Sequence, residues 1–377
     1  FESHIAKDGE RIKLGKITIE VLHTPGHTPE STCFLLRDEK GKPHALFSGD
    51  TLFIGDVGRP DLAVSDAVSE TDLAGMLYDS LHKKIMKLPD DVIIYPAHGA
   101  GSACGKNISS ETHATLGEQK KTNYALQKMT KKEFVKELTT GILPAPAYFA
   151  SNAKLNMQGY GNIEELVQQS LNRLNVEEVE AYMDAGALIV DCRTPGEYAE
   201  GHIPGAVFIG LDGQFAIWAA TMIKDLHQPI VLVTPKKRHR EAVIRLARVG
   251  FDNVKGYLSR EMRGWEKRDA ERTEHFDARL INDIKDLGTV VDVRKPGEYK
   301  AAHLEFAESI PLDYLLENLD AFKKDQRYFI HCKSGYRSMI ACSFLRRAGI
   351  DDIYNVDGGF DALKQTAIPI LEETCQN

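Results

Sequence analysis

The stretch VDCRTPGEYAEGHIPGA at residues 190 to 206 returns as VDVRKPGEYKAAHLEFA at residues 291 to 307. The two aspartates that open the copies, Asp191 and Asp292, are 101 residues apart. Each copy runs on to a second apolar segment and then a helical pattern ending at glycine, IVLVTPKKRHREAVIRLARVG and YFIHCKSGYRSMIACSFLRRAG. A period near 100 is a whole small domain, too long for a solenoid unit. Short Val- and Ile-rich runs alternating with helical patterns predict parallel sheets covered by helices. Two α/β domains of one kind are therefore expected, over residues 168–270 and 271–377.

The N-terminal third reads differently. ITIEVLHTPGHTPE, HALFSGDTLF and DVIIYPAHGAG each contain a strand-like run that stops at Pro or Gly and then presents a metal-competent side chain: His27, Asp50 and His98. Three strand ends delivering His, Asp and His can line one rim of a β-rich layer, so a separate domain is expected over residues 1–115. The next segment, GEQKKTNYALQKMTKKEFVKELTTGILPAPAYF, reads as one or two amphipathic helices and a Pro-rich link, placed at 116–167. The chain opens on Phe1 in mid-pattern, and an upstream segment is expected.

Composition narrows the function class. A formal net charge of -8, with no long Lys/Arg stripe, argues against nucleic acid as the main partner. No apolar run approaches the roughly 20 residues needed to span a bilayer, and no signal peptide is recognisable, so no membrane partner and a cytoplasmic location are expected. The six cysteines (33, 104, 192, 332, 342 and 375) are too sparse for a disulfide framework and read as reduced thiols.

Cys332 closes an apolar run and precedes a polar loop, Lys333 to Arg337, and a helix starting near Ser338. Unpaired N–H groups and the positive helix end then face the sulfur, which favours a thiolate or a persulfide anion. A phosphatase loop places five residues between Cys and Arg. Here there are four, a tighter cradle better matched to sulfur than to a phosphoryl group.

DVRKPGEY with its following His, and CKSGYRS, resemble a rhodanese, or sulfurtransferase, domain. The resemblance implies that Cys332 carries sulfane sulfur as a persulfide, with Arg337 beside it and Lys333, Ser334, Gly335 and Tyr336 forming the substrate loop. Asp292 and Arg294 read as a structural pair holding that loop. The first copy has no cysteine near Val233 to Pro235, where the repeat would place it, so it reads as an inactive spacer or binding domain. Cys192 falls on a strand and reads as core, as do Cys33 and Cys342; Cys375 gets no role, and His202 and His303 read as structural.

HTPGHTPES, SGDTLF and YPAHG are similar to three metal-site segments of the metallo-β-lactamase superfamily. Its opening His-x-His-x-Asp-His motif is absent from this chain and is expected upstream. The implied architecture is α/β multidomain: the C-terminal part of a metallo-β-lactamase-like αββα sandwich, then two rhodanese-like domains with parallel sheets. With GRPDL and GAGSACGK, the whole resembles bacterial fusions of a persulfide dioxygenase with a sulfurtransferase. That resemblance implies one Fe(II) per chain, O2 as co-substrate, a low-molecular-weight thiol persulfide and sulfite as small-molecule partners, and a homo-oligomer. By motif, the resemblance implies His27 and Asp50 as metal ligands with a third expected upstream, and His98 as a residue that supports the ligands or contacts substrate, or as an alternative ligand. Arg59 is a candidate for holding substrate, or else a loop salt bridge with Asp56 or Asp61. Cys104 is a second candidate sulfur carrier. Two other readings stay open: a dinuclear-zinc thioester hydrolase of the glyoxalase II type fused to sulfur-carrier domains, and a purely sulfur-transferring protein with a metal-free scaffold.

Overall fold

The alternation in ITIEVLH and the short apolar run in TCFLLR are both patterns of a β-strand. In the computed structural model these segments pair antiparallel, Val21 opposite Phe34 and Leu22 opposite Cys33. The structure describes residues 4–65, 67–100, 102, 104–106, 108–142, 149, 162–265, 267–280 and 286–372. The Pro-rich link, apart from Phe149, and Cys375 lie outside the described residues. The chain divides into two compact units, Phe1–Ala145 and Pro146–Asn377.

The first unit holds a six-stranded sheet ordered β1 (Arg11–Leu14), β2 (Ile17–His23), β3 (Thr32–Arg37), β4 (Pro43–Gly49), β5 (Ile93–Pro96) and β6 (Ala114–Thr115). All neighbours are antiparallel except β4 and β5. Helix α1 (Glu70–Lys83) starts at a capping box, Ser69 accepting from the Asp72 N–H while the Asp72 carboxylate accepts from the Ser69 N–H. It buries Leu73, Leu77 and Leu81. The helices α2 (Leu116–Thr122) and α3 (Lys131–Thr139), read from sequence as an extension, put Leu116, Phe134 and Leu138 into the same core as Leu35, Leu46 and Leu77. Full burial of a side chain such as Phe134 contributes about 1.5–3 kcal/mol, so this segment is part of the first fold.

The second unit contains two sheets of one topology. The first is ordered β7 (Arg173–Leu174), β11 (Val254–Leu258), β10 (Ile230–Val233), β8 (Leu188–Asp191), β9 (Val207–Phe208). The second is β12 (Glu274–Phe276), β17 (Ile353–Val356), β16 (Tyr328–His331), β13 (Thr289–Asp292), β15 (Glu308–Ser309). Every pairing in both is parallel, and β14 (Ala302–Leu304) pairs separately with β18 (Ile370–Glu372). The central strands are almost wholly buried, and mostly apolar, as strands of a parallel sheet covered on both faces are.

The repeated motif builds the same brace twice. Arg193 forks onto the fully buried Asp191 and reaches the Gly201 carbonyl; Arg294 does the same with Asp292 and Ala302. Each motif histidine stacks on its tyrosine, His202 on Tyr198 at 3.8 Å and His303 on Tyr299 at 3.9 Å, and bonds the tyrosine carbonyl through Nδ1. These are the contacts of structural histidines. Cys33, Cys192 and Cys342 are buried in the cores.

The two halves of the second unit share one continuous apolar core running from Val190 and Phe208 to Ile330 and Met339. The Phe208 N–H donates to Ser343 Oγ at 3.0 Å, and Arg347 donates to the Gly205 carbonyl at 2.8 Å. The first copy is thus packed against the second through a shared core.

Candidate metal centre and sulfur cradle

Because β2 and β4 both run antiparallel to β3, and β4 parallel to β5, the C-terminal ends of β2, β4 and β5 fall on one edge. The chain leaving those ends carries His27, Asp50 and His98. His27 Nε2 lies 3.3 Å from Asp50 Oδ2, and His98 Nε2 lies 3.4 Å from Asp50 Oδ1. Cys104 joins them: one donor atom each from Asp50, His98 and Cys104 lie within 4.8 Å of one another. His98 therefore stands as near Asp50 as His27 does.

The donor set fits a metal ion on its own chemistry. His27 Nδ1 is 2.8 Å from the Arg59 carbonyl, and a carbonyl only accepts, so Nδ1 carries the proton. Nε2 is then the ring nitrogen left facing the Asp50 carboxylate, the position from which an imidazole binds a metal ion. Imidazole nitrogen, carboxylate oxygen and sulfur together suit a first-row transition metal. Burial alone would raise the Asp50 carboxyl, yet His27 and His98 hold it below the usual carboxylate range. Burial, reinforced by Asp50, pushes the Cys104 thiol up, an effect that a bound cation opposes.

Several residues hold these ligands in place. Thr24 Oγ1 bonds Thr51 Oγ1 at 2.9 Å and Cys33 Sγ at 3.2 Å, tying the chain before His27 to the chain after Asp50. A Cβ at Gly58 would stand 2.0 Å from the Asp50 carbonyl and 3.0 Å from His27 Nδ1, so only glycine fits. The Arg59 N–H donates to the Cys104 carbonyl at 3.0 Å, while its guanidinium forks onto Asp61 at 2.6 Å. Arg59 thus joins His27 to Cys104 through its backbone, and its side chain makes the loop salt bridge.

The second constellation sits at the end of β16. Cys332 is 1 % exposed, and its Sγ accepts from the Gly335 N–H at 3.2 Å and from Ser338 Oγ at 3.4 Å. Gly335 has φ +100° and caps helix α4 (Tyr336–Arg347). Lys333 and Ser334 are exposed at the mouth of the loop. A Cβ at Gly359 would reach 2.4 Å from the Cys332 carbonyl, so the Gly358–Gly359 turn closes the other side of the cradle. Arg337 forks onto Glu298 at 2.5 and 2.8 Å. Burial would raise that carboxyl, and Arg337 holds it below its ordinary value. Arg294 lies 3.7 Å over the Phe360 ring, and the Phe360 N–H donates to the Cys332 carbonyl at 2.7 Å, so the Asp292–Arg294 brace reaches the loop.

The metallo-beta-lactamase superfamily matches residues 4–98, and the rhodanese-like domain family matches residues 175–268 and 276–366. The crystal structure of a metallo-beta-lactamase from Staphylococcus aureus subsp. aureus COL is 32% identical, with a TM-score of 0.57, covering 68% of this chain and 71% of that one. This chain belongs to the metallo-β-lactamase superfamily and carries two rhodanese-like domains. The human mitochondrial persulfide dioxygenase ETHE1 is 33% identical over 153 residues, 40% of this chain and 52% of that protein. The hydroxyacylglutathione hydrolase GloC of Haemophilus influenzae is 34% identical over 117 residues, 31% of this chain and 44% of that protein. The chain spans about half the length of the curated relatives it matches. Among the described residues no helix is long and apolar enough to cross a membrane.

Some residues of this metallo-β-lactamase and rhodanese protein escape a sequence reading. Glu298 lies within the repeated PGEY motif, yet nothing in one dimension pairs it with Arg337. The Gly-Gly of NVDGGFDAL was the available signal for the second wall of the cradle. Gln119 and Asn123, which bond the backbone around Phe53, Gly55 and Asp56, carried none.

Tyr336 is committed to the first rhodanese-like domain. Its hydroxyl donates to the Gly210 carbonyl at 2.7 Å, and its ring packs edge-on to Phe208. Its place is thus a wedge between the domains, in contrast to the substrate contact read from the loop. A Cβ at Gly213 would lie 2.3 Å from that ring. Gly213→Ala is expected to displace Tyr336 at the first turn of α4, lowering stability by about 1–3 kcal/mol and slowing sulfur transfer by Cys332. Thermal unfolding and a thiosulfate:cyanide transfer assay check this; unchanged transfer would show that the inter-domain wedge does not position the cradle.

Proposed function

We propose that this protein is an iron-dependent persulfide dioxygenase joined to a sulfurtransferase, oxidising a low-molecular-weight thiol persulfide to sulfite and converting sulfite to thiosulfate. The observation that carries this reading is the thiol of Cys104 within the Asp50 and His98 donor cluster, in a chain that also holds Cys332 in a cradle of N–H and O–H donors. His27 and Asp50 hold the metal, with His98 and Cys104 at its side. When bound there, Fe(II) supplies O2 activation next to a soft sulfur ligand. In the first reaction a persulfide, O2 and water give the thiol, sulfite and two protons. In the second, sulfite attacks the outer sulfur of a Cys332 persulfide, the S–S bond breaks toward Cys332, and thiosulfate leaves with the thiolate restored in the cradle. Consuming sulfite in the same chain gives the protein a role in sulfide detoxification.

A second reading, a dinuclear-zinc thioester hydrolase, is favoured by the approach of His98 to Asp50 and by the hydrolase relative. Metal content by mass spectrometry on anaerobically purified protein, paired with oxygen uptake on adding a low-molecular-weight persulfide, separates the two. About one iron per chain and persulfide-dependent uptake are expected. About two zinc ions per chain, no uptake and hydrolysis of a glutathione thioester would transfer the assignment to the second reading.

A further inference from the structure

The first rhodanese-like domain has the backbone of the cradle with no cysteine in it. Val233 stands opposite Asp191 in register, as His331 stands opposite Asp292, so Thr234 occupies the place of Cys332. Counted from that pair, Lys237 corresponds to Gly335, and Arg260 and Glu261 correspond to Gly358 and Gly359. The backbone agrees: φ is +63° at Lys237, +66° at Arg260 and +53° at Glu261, against +100°, +66° and +54° at the three glycines. Among the described residues these are the only non-glycine residues with positive φ. Left-handed backbone at residues that bear a Cβ carries an energetic cost, and such strain concentrates at functional sites. The first domain therefore has the backbone shape of the Cys332 cradle, with long charged side chains where the second domain has three glycines.

These side chains surround a cavity of about 710 Å³ lined by Thr234, Lys236, Lys237, Arg260, Arg263 and Arg173. Glu261, the carboxylate on its wall, lies 3.4 Å from Arg263. Among the described residues no carboxylate forms an ion pair with Lys236, Lys237, Arg260 or Arg173. His239 and Tyr257, stacked on each other at 4.2 Å, supply an aromatic part of the lining. Clustered cations that outnumber the carboxylates beside them, in a concave site, create a field that selects an anion. Arginine and lysine together are the donors that grip phosphate and sulfonate oxygens. The volume falls within the range of small-molecule sites, about 300–1,000 Å³, and exceeds what one free tetrahedral ion fills.

We propose that the first rhodanese-like domain is a binding site for a small molecule bearing clustered oxyanion groups of phosphorus or sulfur, held by Lys236, Lys237 and Arg260 in the remodelled cradle around Thr234. The site shares no residue with the metal cluster or with the Cys332 cradle, and the inference stands whether or not the dioxygenase reading holds.

The test is isothermal titration of the full-length protein with inorganic pyrophosphate and, separately, with sulfate, alongside the double variant Lys237→Gly/Arg260→Gly. The variant restores the glycines found in the second domain, so its melting temperature is expected to hold or rise. Pyrophosphate is expected to bind at one site per chain, and the double variant is expected to weaken it by about tenfold or more, with metal content unchanged. Tighter binding of sulfate than of pyrophosphate, weakened by the same substitutions, supports the site and assigns its ligand to the sulfur oxyanions. Should the double variant fail to fold, the exposed Lys236→Gln reads the same loss. An absence of saturable binding for both probes, or binding that these substitutions leave unchanged, overturns the proposal.

Discussion

Cys332→Ser is expected to lower thiosulfate:cyanide sulfur transfer by more than about a thousandfold, because removing the nucleophile of a covalent mechanism removes the intermediate itself. Serine fits the space: the sulfur is buried and accepts from the Gly335 N–H and Ser338 Oγ, and a hydroxyl oxygen can accept from both. The variant should therefore fold with normal stability. Oxygen uptake with a persulfide should persist while sulfite accumulates and thiosulfate falls, measured by ion chromatography. Loss of oxygen uptake in a folded Cys332→Ser protein would contradict the assignment of the two reactions to separate sites.

Asp50→Ala is expected to give the opposite pattern. Asp50 approaches both His27 and His98, each through a different carboxylate oxygen, and it belongs to the cluster with Cys104. Without it the imidazoles lose the anion between them, and metal retained on purification should fall by roughly 10–100-fold or more. Persulfide-dependent oxygen uptake should vanish with the metal, whereas transfer from thiosulfate to cyanide should continue. Metal analysis and the two assays on one preparation check all three outcomes. A folded Asp50→Ala protein that keeps its metal would remove Asp50 from the ligand set; one that loses sulfur transfer as well would refute the modular picture.

The two variants probe features that differed in how far they could be read from the chain. The 101-residue repeat, with its alternation of strands and helices, was enough to expect two parallel α/β domains, and the sheets follow one strand order. The strand ends at His27, Asp50 and His98 were visible because Pro and Gly punctuate them, and punctuation is a local property of the backbone. The Asp292–Arg294 brace was legible for the same reason, since its partners are two residues apart and lie on one strand end. The missing cysteine of the first copy was equally plain from the repeat.

Other features depended on chain directions and packing that no local pattern encodes. Parallel orientation of β2, β4 and β5 is a property of the whole sheet, and it alone brings His98 and Cys104 to Asp50. Arg337 meets Glu298 across 39 residues, and Tyr336 meets Gly210 across 126. The left-handed backbone at Lys237, Arg260 and Glu261 is hidden in a sequence, since those residue types disfavour it and only the surrounding fold enforces it. The amino-acid order by itself determined which chemical groups this protein carries and where its strands stop, because those follow from side-chain type and local backbone preference. Only the tertiary structure decided which groups meet, because bringing together residues far apart along the chain costs loop-closure entropy, and the packed cores supply the free energy that offsets it.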